Sequence, residues 1–254
     1  MAITIKSERE IELMAEAGKI LERVHNELEK ALRPGMSTKD IDTLGEEIIR
    51  SYGCIPSFLN YNGYPASICV SVNQEVVHGI PDKHRIIQEG DIVSLDAGVI
   101  YKGYHSDAAR TYAVGEASEE AKKLIQVTKE CFFEGIKFAK AGNHLFDISG
   151  AIGRYAEERG YGVVRDLCGH GIGTALHEAP EIPNYEVGRK GMRLRPGMTL
   201  AIEPMINIGT YEVDWLDDDW TVVTRDGSLS AHYENTILIT EGEPRILSLT
   251  CENE

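Results

Sequence analysis

The chain has 254 residues, enough for a substantial core, and 41 acidic against 26 basic residues give a formal net charge of -15 at pH 7. This excess of negative charge argues against non-specific DNA binding, and the absence of a long uncharged apolar run argues against a signal peptide or membrane span. Five cysteines without a Cys-x-x-Cys pair are typical of free thiols in a reducing cytoplasm, where we expect the protein to reside.

Helix and strand signals alternate in two rounds along the chain. Ser7 and Glu10 form a capping box that begins a first helix, which ends before residue 34. Ser37 or Thr38 begins a second helix, which ends near residue 53. Strand-like runs follow at 67–72, 92–96 and 110–114.

The second round repeats this order. Ser118 begins a third helix to about residue 139, and Asn143 caps a fourth helix to about residue 159. Further strands are predicted around residue 163 and at 199–206, 220–224 and 232–240. Two helices followed by strands, twice over, indicate an α+β fold.

The repetition has a fixed spacing. At an offset of 107 residues, 34–35 align with 141–142 and 89–96 align with 196–203, so that Asp96 and Glu203 occupy equivalent positions. Two similar halves, roughly 7–114 and 118–240, would be related by an approximate twofold axis that brings these carboxylates together. No linker-like stretch separates the halves, and we expect one compact domain over residues 1–254.

Metal-competent side chains lie beside five strand-like or Gly-rich segments: Asp96, Asp107, His170, Glu203 and Glu234. Each of them alone also fits an ordinary turn or loop residue. Burying four carboxylates together is costly unless cations neutralise them, and two divalent ions would match their charge. Oxygen donors with one imidazole favour Mn, Fe or Co over a structural zinc. The set therefore predicts a dinuclear centre for hydrolysis of a carbonyl or phosphoryl substrate.

Other histidines are weaker candidates. His78 and His177 could donate to a substrate carbonyl or leaving nitrogen, although each also fits an ordinary loop histidine. His105 is expected to be exposed. His232 shares a strand face with Glu234 and is a candidate to contact a metal ligand from behind.

In order and in register, the five metal-competent residues strongly resemble those of the type I methionine aminopeptidases. So do the strings NGYP at 62–65, HGIP at 78–81, GHGIG at 169–173 and EPM at 203–205, and the resemblance covers essentially the whole chain. It implies the pita-bread fold, with two pseudo-symmetric halves around a central dinuclear metal site. It also implies removal of the initiator methionine from new proteins whose second residue is small.

The resemblance further implies roles for individual residues. The five ligands would bind two divalent metal ions, drawn from Co, Mn, Fe, Zn or Ni, with Asp96 and Glu234 bridging both. Glu203 would also shuttle a proton to the attacking hydroxide, and His78 and His177 would contact the substrate near the scissile amide.

The implied methionine pocket is lined by four side chains: Tyr61, Tyr64, Cys69 and Trp220. The chain departs from the family at its edge, since Leu176 stands where some members carry an aromatic residue and Phe58 where some carry cysteine. The implied partners are nascent polypeptide N-termini, and a transient contact with the ribosome is a further candidate. We expect a monomer.

Two other functions fit the same fold. One is a non-catalytic binding module, against which the presence of all five ligands argues. The other is a proline-specific peptidase, although such enzymes generally carry a further amino-terminal domain for which 254 residues leave no room.

Overall fold

Four helices occur in two pairs in the structure, a computed structural model that describes residues 3–249; Cys251 lies outside these residues. The helices are α1 (Glu8–Ala31), α2 (Thr38–Ser51), α3 (Glu119–Ile136) and α4 (Leu145–Glu157). The capping box of α1 is confirmed, because Ser7 Oγ accepts a hydrogen bond from Glu10 N and the Glu10 carboxylate accepts one from Ser7 N. Ser37 caps α2 in the same way, with Asp40 as its partner.

Two predictions at helix ends are wrong. The fourth helix is preceded by His144 rather than capped by Asn143, because Asp147 in the first turn accepts from His144 N at 2.8 Å. The Asn143 amide instead donates to Phe138 O at 3.0 Å. The third helix ends at Ile136, three residues earlier than predicted.

Most strands belong to two antiparallel sheets. The strands are β1 (Ile55–Pro56), β2 (Ile68–Val72), β3 (Glu75–Val77), β4 (Ile92–Tyr101), β5 (Tyr104–Ala113), β6 (Gly162–Val163), β7 (Gly169–Gly171), β8 (Glu178–Ile182), β9 (Thr199–Ile202), β10 (Met205–Asn207), β11 (Val213–Trp215), β12 (Val222–Thr224), β13 (Ser230–His232), β14 (Asn235–Leu238) and β15 (Arg245–Ile246). One sheet has the path β1-β4-β2 with β5 beside β4, and the other has the order β15-β14-β9-β7-β8. Two three-stranded sheets, β13-β10-β6 and β11-β12-β3, complete the fold.

The strand that carries Asp96 is longer than predicted. It continues to Tyr101 and returns as β5 through a two-residue turn at Lys102 and Gly103, whose φ angles of 49° and 87° suit a tight hairpin. The turn fixes the register so that Asp96 faces Ala109 and Gly98 faces Asp107. Both carboxylates therefore lie inside strands rather than at strand ends.

The predicted strands at 199–206 and 232–240 are each broken in two. Strand β9 pairs with β14 in the five-stranded sheet, whereas β10 pairs with β13 in a separate sheet. Glu203 lies between β9 and β10, and Glu234 lies between β13 and β14. Pro204 has no N–H for a sheet hydrogen bond, which favours the break at this point.

The apolar core follows the two halves. One cluster joins α1 and α2 to β2, β4 and β5, and another joins α3 and α4 to β9, β10 and β14. Strand β3 of the first half pairs with β12 of the second. The predicted α+β architecture with two similar halves is confirmed. Within residues 3–249, none of the helices has the length and apolar character needed to cross a bilayer.

Candidate active site

All the predicted catalytic, substrate-binding and metal-binding residues line one cavity of about 140 Å³. Its walls include the predicted residues Tyr61, Tyr64, Cys69, His78, Asp96, Asp107, His170, His177, Glu203, Trp220 and Glu234. Phe58, Asn62 and Leu176 complete the lining. Residues from both halves of the chain therefore meet at a single cavity.

Asp96 and Asp107 enter the cavity from the neighbouring strands β4 and β5. Thr236 holds the backbone of Asp107 on both sides, because its Oγ1 accepts from Asp107 N at 2.9 Å and donates to Asp107 O at 3.0 Å. Within the described residues, the buried Oδ1 atoms of both aspartates have no hydrogen-bond partner. Such oxygens are costly to bury unless something outside the chain binds them.

Each of the two glutamates lies between two strands, at a point where the chain leaves one sheet and enters another. Glu234 N donates to Ala109 O at 3.0 Å, which ties this crossover to the strand that carries Asp107. The amide of Asn184 donates to Glu203 O at 3.1 Å. These contacts hold the backbone at each crossover, and both carboxylates line the cavity.

His170 is placed by strand β7, which contacts β9 at very short range. A Cβ atom on the preceding Gly169 would lie 2.4 Å from Ala201 O, so glycine is required there. His170 Nδ1 donates to Gly171 O at 2.8 Å, which leaves the Nε2 lone pair free. Nε2 lies 3.6 Å from Glu203 Oε1 and 3.9 Å from Asp107 Oδ2.

Burial sets the charge state of this cluster. It raises the pKa of Asp96 to about 7. It also raises the pKa of Asp107, Glu203 and Glu234 well above the usual range, with neighbouring carboxylates adding to the effect. Burial lowers the pKa of His170 to about 3, so its imidazole is neutral and can act as a ligand.

These donors fit divalent cations. Asp107, His170 and Glu234 each offer an atom within 4.8 Å of the others, and all three residues are buried. Carboxylate oxygens with one neutral imidazole suit divalent ions that accept mixed oxygen and nitrogen ligands. Cations would neutralise the carboxylates and satisfy the unpaired oxygens of Asp96 and Asp107.

His177 and His78 both line the cavity beside the cluster. His177 is an exposed residue overall, but its ring packs edge-on against His170 with 4.1 Å between centroids, and the Tyr61 hydroxyl is 2.8 Å from His177 Nδ1. His78 adopts a left-handed backbone conformation with φ of 60° and lies edge-on to Trp220 at 6.3 Å. Burial lowers the pKa of both imidazoles, that of His78 to about 4, so both are neutral near pH 7.

The predicted methionine pocket has an aromatic and sulfur lining. Tyr64 and Trp220 pack edge-on at 5.1 Å, and the Tyr64 hydroxyl donates to Gly79 O at 2.9 Å. Cys69 faces Asp96 across β2 and β4, and burial raises the pKa of its thiol, which therefore stays protonated. Leu176 supplies part of the wall.

The structure also changes the interpretation of two histidines. His105 is buried, contrary to the prediction, and its Nδ1 lies 3.0 Å from Ser57 Oγ. His232 does not share a strand with Glu234, because β13 ends at His232, and its Nε2 instead lies 3.9 Å from Glu203 Oε2. The supporting residues Thr236 and Asn184 were missed, because no local sequence pattern marks a side chain that binds a distant backbone atom.

The chain resembles known proteins over almost its full length. The model of metallopeptidase family M24 matches residues 12–241. A Clostridium acetobutylicum protein named methionine aminopeptidase is 58% identical over 250 residues, which cover 98% of this chain and 100% of the relative. Methionine aminopeptidase 1 of Bacillus subtilis is 52% identical over 239 residues, or 94% of this chain and 96% of the relative.

Solved structures agree with these relatives. The crystal structure of methionine aminopeptidase from Thermotoga maritima has a TM-score of 0.96 and 47% identity, covering 98% of this chain and 100% of that one. An Xaa-Pro dipeptidase from Bacillus anthracis has a TM-score of 0.77 and 28% identity, and the match covers 97% of this chain but only 62% of the dipeptidase. The pita-bread fold expected from the sequence is confirmed, and the chain belongs to metallopeptidase family M24.

Proposed function

We propose that this protein is a metal-dependent methionine aminopeptidase, which removes the initiator methionine from nascent polypeptides whose second residue is small. The observation that carries the proposal is that an aromatic pocket opens directly onto the carboxylate and histidine cluster. Its volume of about 140 Å³ lies below the roughly 300 Å³ of pockets for larger ligands and suits a single side chain. Relatives up to 58% identical carry the same name.

The pocket lining explains the preference for methionine. Tyr61, Tyr64, Cys69 and Trp220 would surround the side chain of the first residue. A thioether is flexible and polarizable, and it gains from contact with aromatic rings and sulfur. Leu176 and Phe58 also line the cavity.

Five residues would hold two divalent metal ions: Asp96, Asp107, His170, Glu203 and Glu234. Co, Mn, Fe, Zn and Ni are all compatible with such donors. When bound, the ions supply the Lewis acidity that activates the attacking water and polarises the scissile carbonyl.

The chain's own groups would then move the proton and stabilise the developing charge. Glu203 accepts a proton from the attacking water and delivers it to the nitrogen of the leaving amine as the C–N bond breaks. The neutral imidazoles of His78 and His177 donate hydrogen bonds to the substrate near the scissile amide. A Tyr61 hydroxyl that donates to His177 Nδ1 would leave the proton of that ring on Nε2, available to the substrate.

Several observations favour this function over the alternatives. A non-catalytic module would have no use for four buried carboxylates around one cavity. The proline-specific relative is only 28% identical, and this chain spans 62% of it. Residues 1–254 would act as one catalytic domain, because β3 and β12 pair across the halves and both halves line the site. We extend the proposal to a monomer in the cytoplasm that contacts the ribosome transiently.

Peptide hydrolysis tests the proposal. The substrate's second side chain would lie against the Gly-rich and histidine-bearing loops, where a bulky residue would displace the amide, and misplacing it by about 1 Å can cost about 100-fold in rate. We expect efficient cleavage of Met-Ala-Ser and Met-Gly peptides and poor cleavage of Met-Lys and Ala-Pro peptides, measured as kcat/KM. Equal kcat/KM for Met-Ala and Met-Lys peptides would refute the selectivity, and preference for Ala-Pro would establish the proline-specific alternative.

A further inference from the structure

A buried ion pair joins the segment before α1 to the segment that carries His177. Lys6 Nζ lies 2.6 Å from Glu178 Oε2, and the two side chains are only 4% and 11% exposed. The Thr4 hydroxyl donates to the same oxygen at 2.6 Å. Lysine is rarely buried unless it is paired, so this arrangement is costly to break.

The ion pair also closes the turn at 173–178. Glu178 Oε1 accepts from Ala175 N at 3.4 Å, and Gly173 O accepts from His105 N at 2.8 Å. A Cβ atom on Gly173 would lie 2.5 Å from Glu178 Oε1 and 2.6 Å from Lys6 Cε. Lysine, glutamate and glycine therefore occupy one close-packed junction beneath the turn.

His177 adjoins this junction in the chain. Its ring lies at the exposed edge of the cavity, where its described contacts are the Tyr61 hydroxyl and the ring of His170. Its chain neighbour Glu178 is the residue that Lys6 binds. By contrast, Asp96 and Asp107 are fixed by the β4–β5 pair. His170 is held by β9 on one side of β7, even though β8, which begins at Glu178, pairs with the other side.

We propose that the buried Lys6–Glu178 ion pair is a positioning device that holds His177 against the scissile amide. The inference rests on the proposed function, in which His177 contacts the substrate near that amide. Breaking the pair then lowers kcat through His177 and leaves metal binding intact. The segment before α1 becomes a functional part of the active site.

A double-mutant cycle between Lys6→Met and His177→Ala tests this. For hydrolysis of Met-Ala-Ser by the metal-loaded enzyme, we expect Lys6→Met to lower kcat by about tenfold with a KM change below about threefold. In the His177→Ala background, the same substitution should lower kcat by less than about twofold, because the positioned group is already missing.

The matched control is Lys140→Met. Lys140 pairs with Glu243 at 2.5 Å on the surface away from the cavity, so its loss should leave kcat unchanged in both backgrounds. Metal content per chain and the melting temperature are measured for every variant. If Lys6→Met does not fold, Thr4→Val removes one hydrogen bond to Glu178 and should show the same dependence on His177 with a smaller effect.

Two results for Lys6→Met would overturn the inference, and one for His177→Ala would do so as well. One is an unchanged kcat in Lys6→Met, and the other is an equal loss in both backgrounds, which would show a general structural role. Both are distinguishable from failure of the proposed function, in which the unmodified enzyme would not release methionine. An unaffected kcat in His177→Ala would remove both the catalytic role of His177 and the positioning role of the pair.

Discussion

Glu203 combines the two properties that the proposed chemistry needs. Its side chain is only 14% exposed beside Asp96 and His170, and it lies at a crossover between sheets that fixes its backbone. Glutamine in its place would keep the shape but could neither carry a proton nor supply the ligand's charge. We expect Glu203→Gln to lower kcat by about 10²–10⁴ while peptide binding, measured by calorimetry, survives. Turnover close to wild type would end the assignment.

Asp96 gives a pH-dependent prediction for the metal-free protein. Its pKa is raised to about 7, from about 3.9 in an unfolded chain, so the folded state holds the proton more tightly. The neutral acid makes its full contribution to the free energy of unfolding below about pH 4, and this contribution is lost as the pH rises to about 7. Asp96→Asn stays neutral, and we expect its free energy of unfolding to exceed that of wild type increasingly between pH 5 and pH 8, by roughly 1–4 kcal/mol.

Chemical denaturation with and without a divalent cation checks this. Adding the cation should reverse the order of stability, because the amide cannot supply the ligand's charge. A difference in unfolding free energy that stays constant or shrinks with rising pH would contradict the raised pKa.

The principal site residues could be predicted because charged side chains are unusual in apolar, buried segments. Carboxylates beside apolar strands, such as Asp96 and Glu234, stand out in a sequence. Lys6 and Glu178 do not, because 172 positions separate two residues whose types are ordinary on a surface. His105 was wrongly expected to be exposed, since no local pattern shows that β5 is covered on that side.

Strand β7 is the element on which the imidazole ligand depends most. A Cβ on Gly169 would approach Ala201 O to 2.4 Å and push β7 from β9, carrying His170 with it. We expect Gly169→Ala to weaken metal affinity by about 10–100-fold, as loss of ligand support commonly does, and to lower the melting temperature. Metal titration and thermal unfolding measure the two effects.

Gly103→Ala is the matched control for this substitution. Gly103 has a φ of 87° at the hairpin tip, and a Cβ there meets no atom within 4 Å in the described part of the chain. Strain of about 1 kcal/mol should lower stability without changing metal affinity. Equal metal affinity in the two alanine variants would contradict the importance of the β7–β9 contact.

Helices were predicted better than strands for a physical reason. Capping boxes such as Ser7 with Glu10 are local, and a stripe of apolar residues marks the buried face. The strand breaks at Glu203 and Glu234 depend on tertiary structure, because the chain leaves one sheet and enters another at each of them. Strand-forming residues occur on both sides of each break, so local pattern alone merges the two strands.

The fold as a whole joins two similar halves at a charged centre. The offset of 107 residues predicted the repeat, and each half has its own apolar cluster. Pairing of β3 with β12 across the halves has no counterpart in that repeat and was not predicted. The two halves meet where their carboxylates lie, which makes the centre unfavourable without cations.

Metal dependence of methionine release is therefore the most direct test of the proposed function. The protein is treated with a chelator, its residual metal is quantified, and hydrolysis of Met-Ala-Ser is followed as a single divalent metal, Mn, Fe or Co, is added back. We expect activity to disappear with the metal and to return as up to two ions bind per chain, with Glu234→Ala failing to recover. Undiminished methionine release from protein freed of metal would contradict the proposed mechanism.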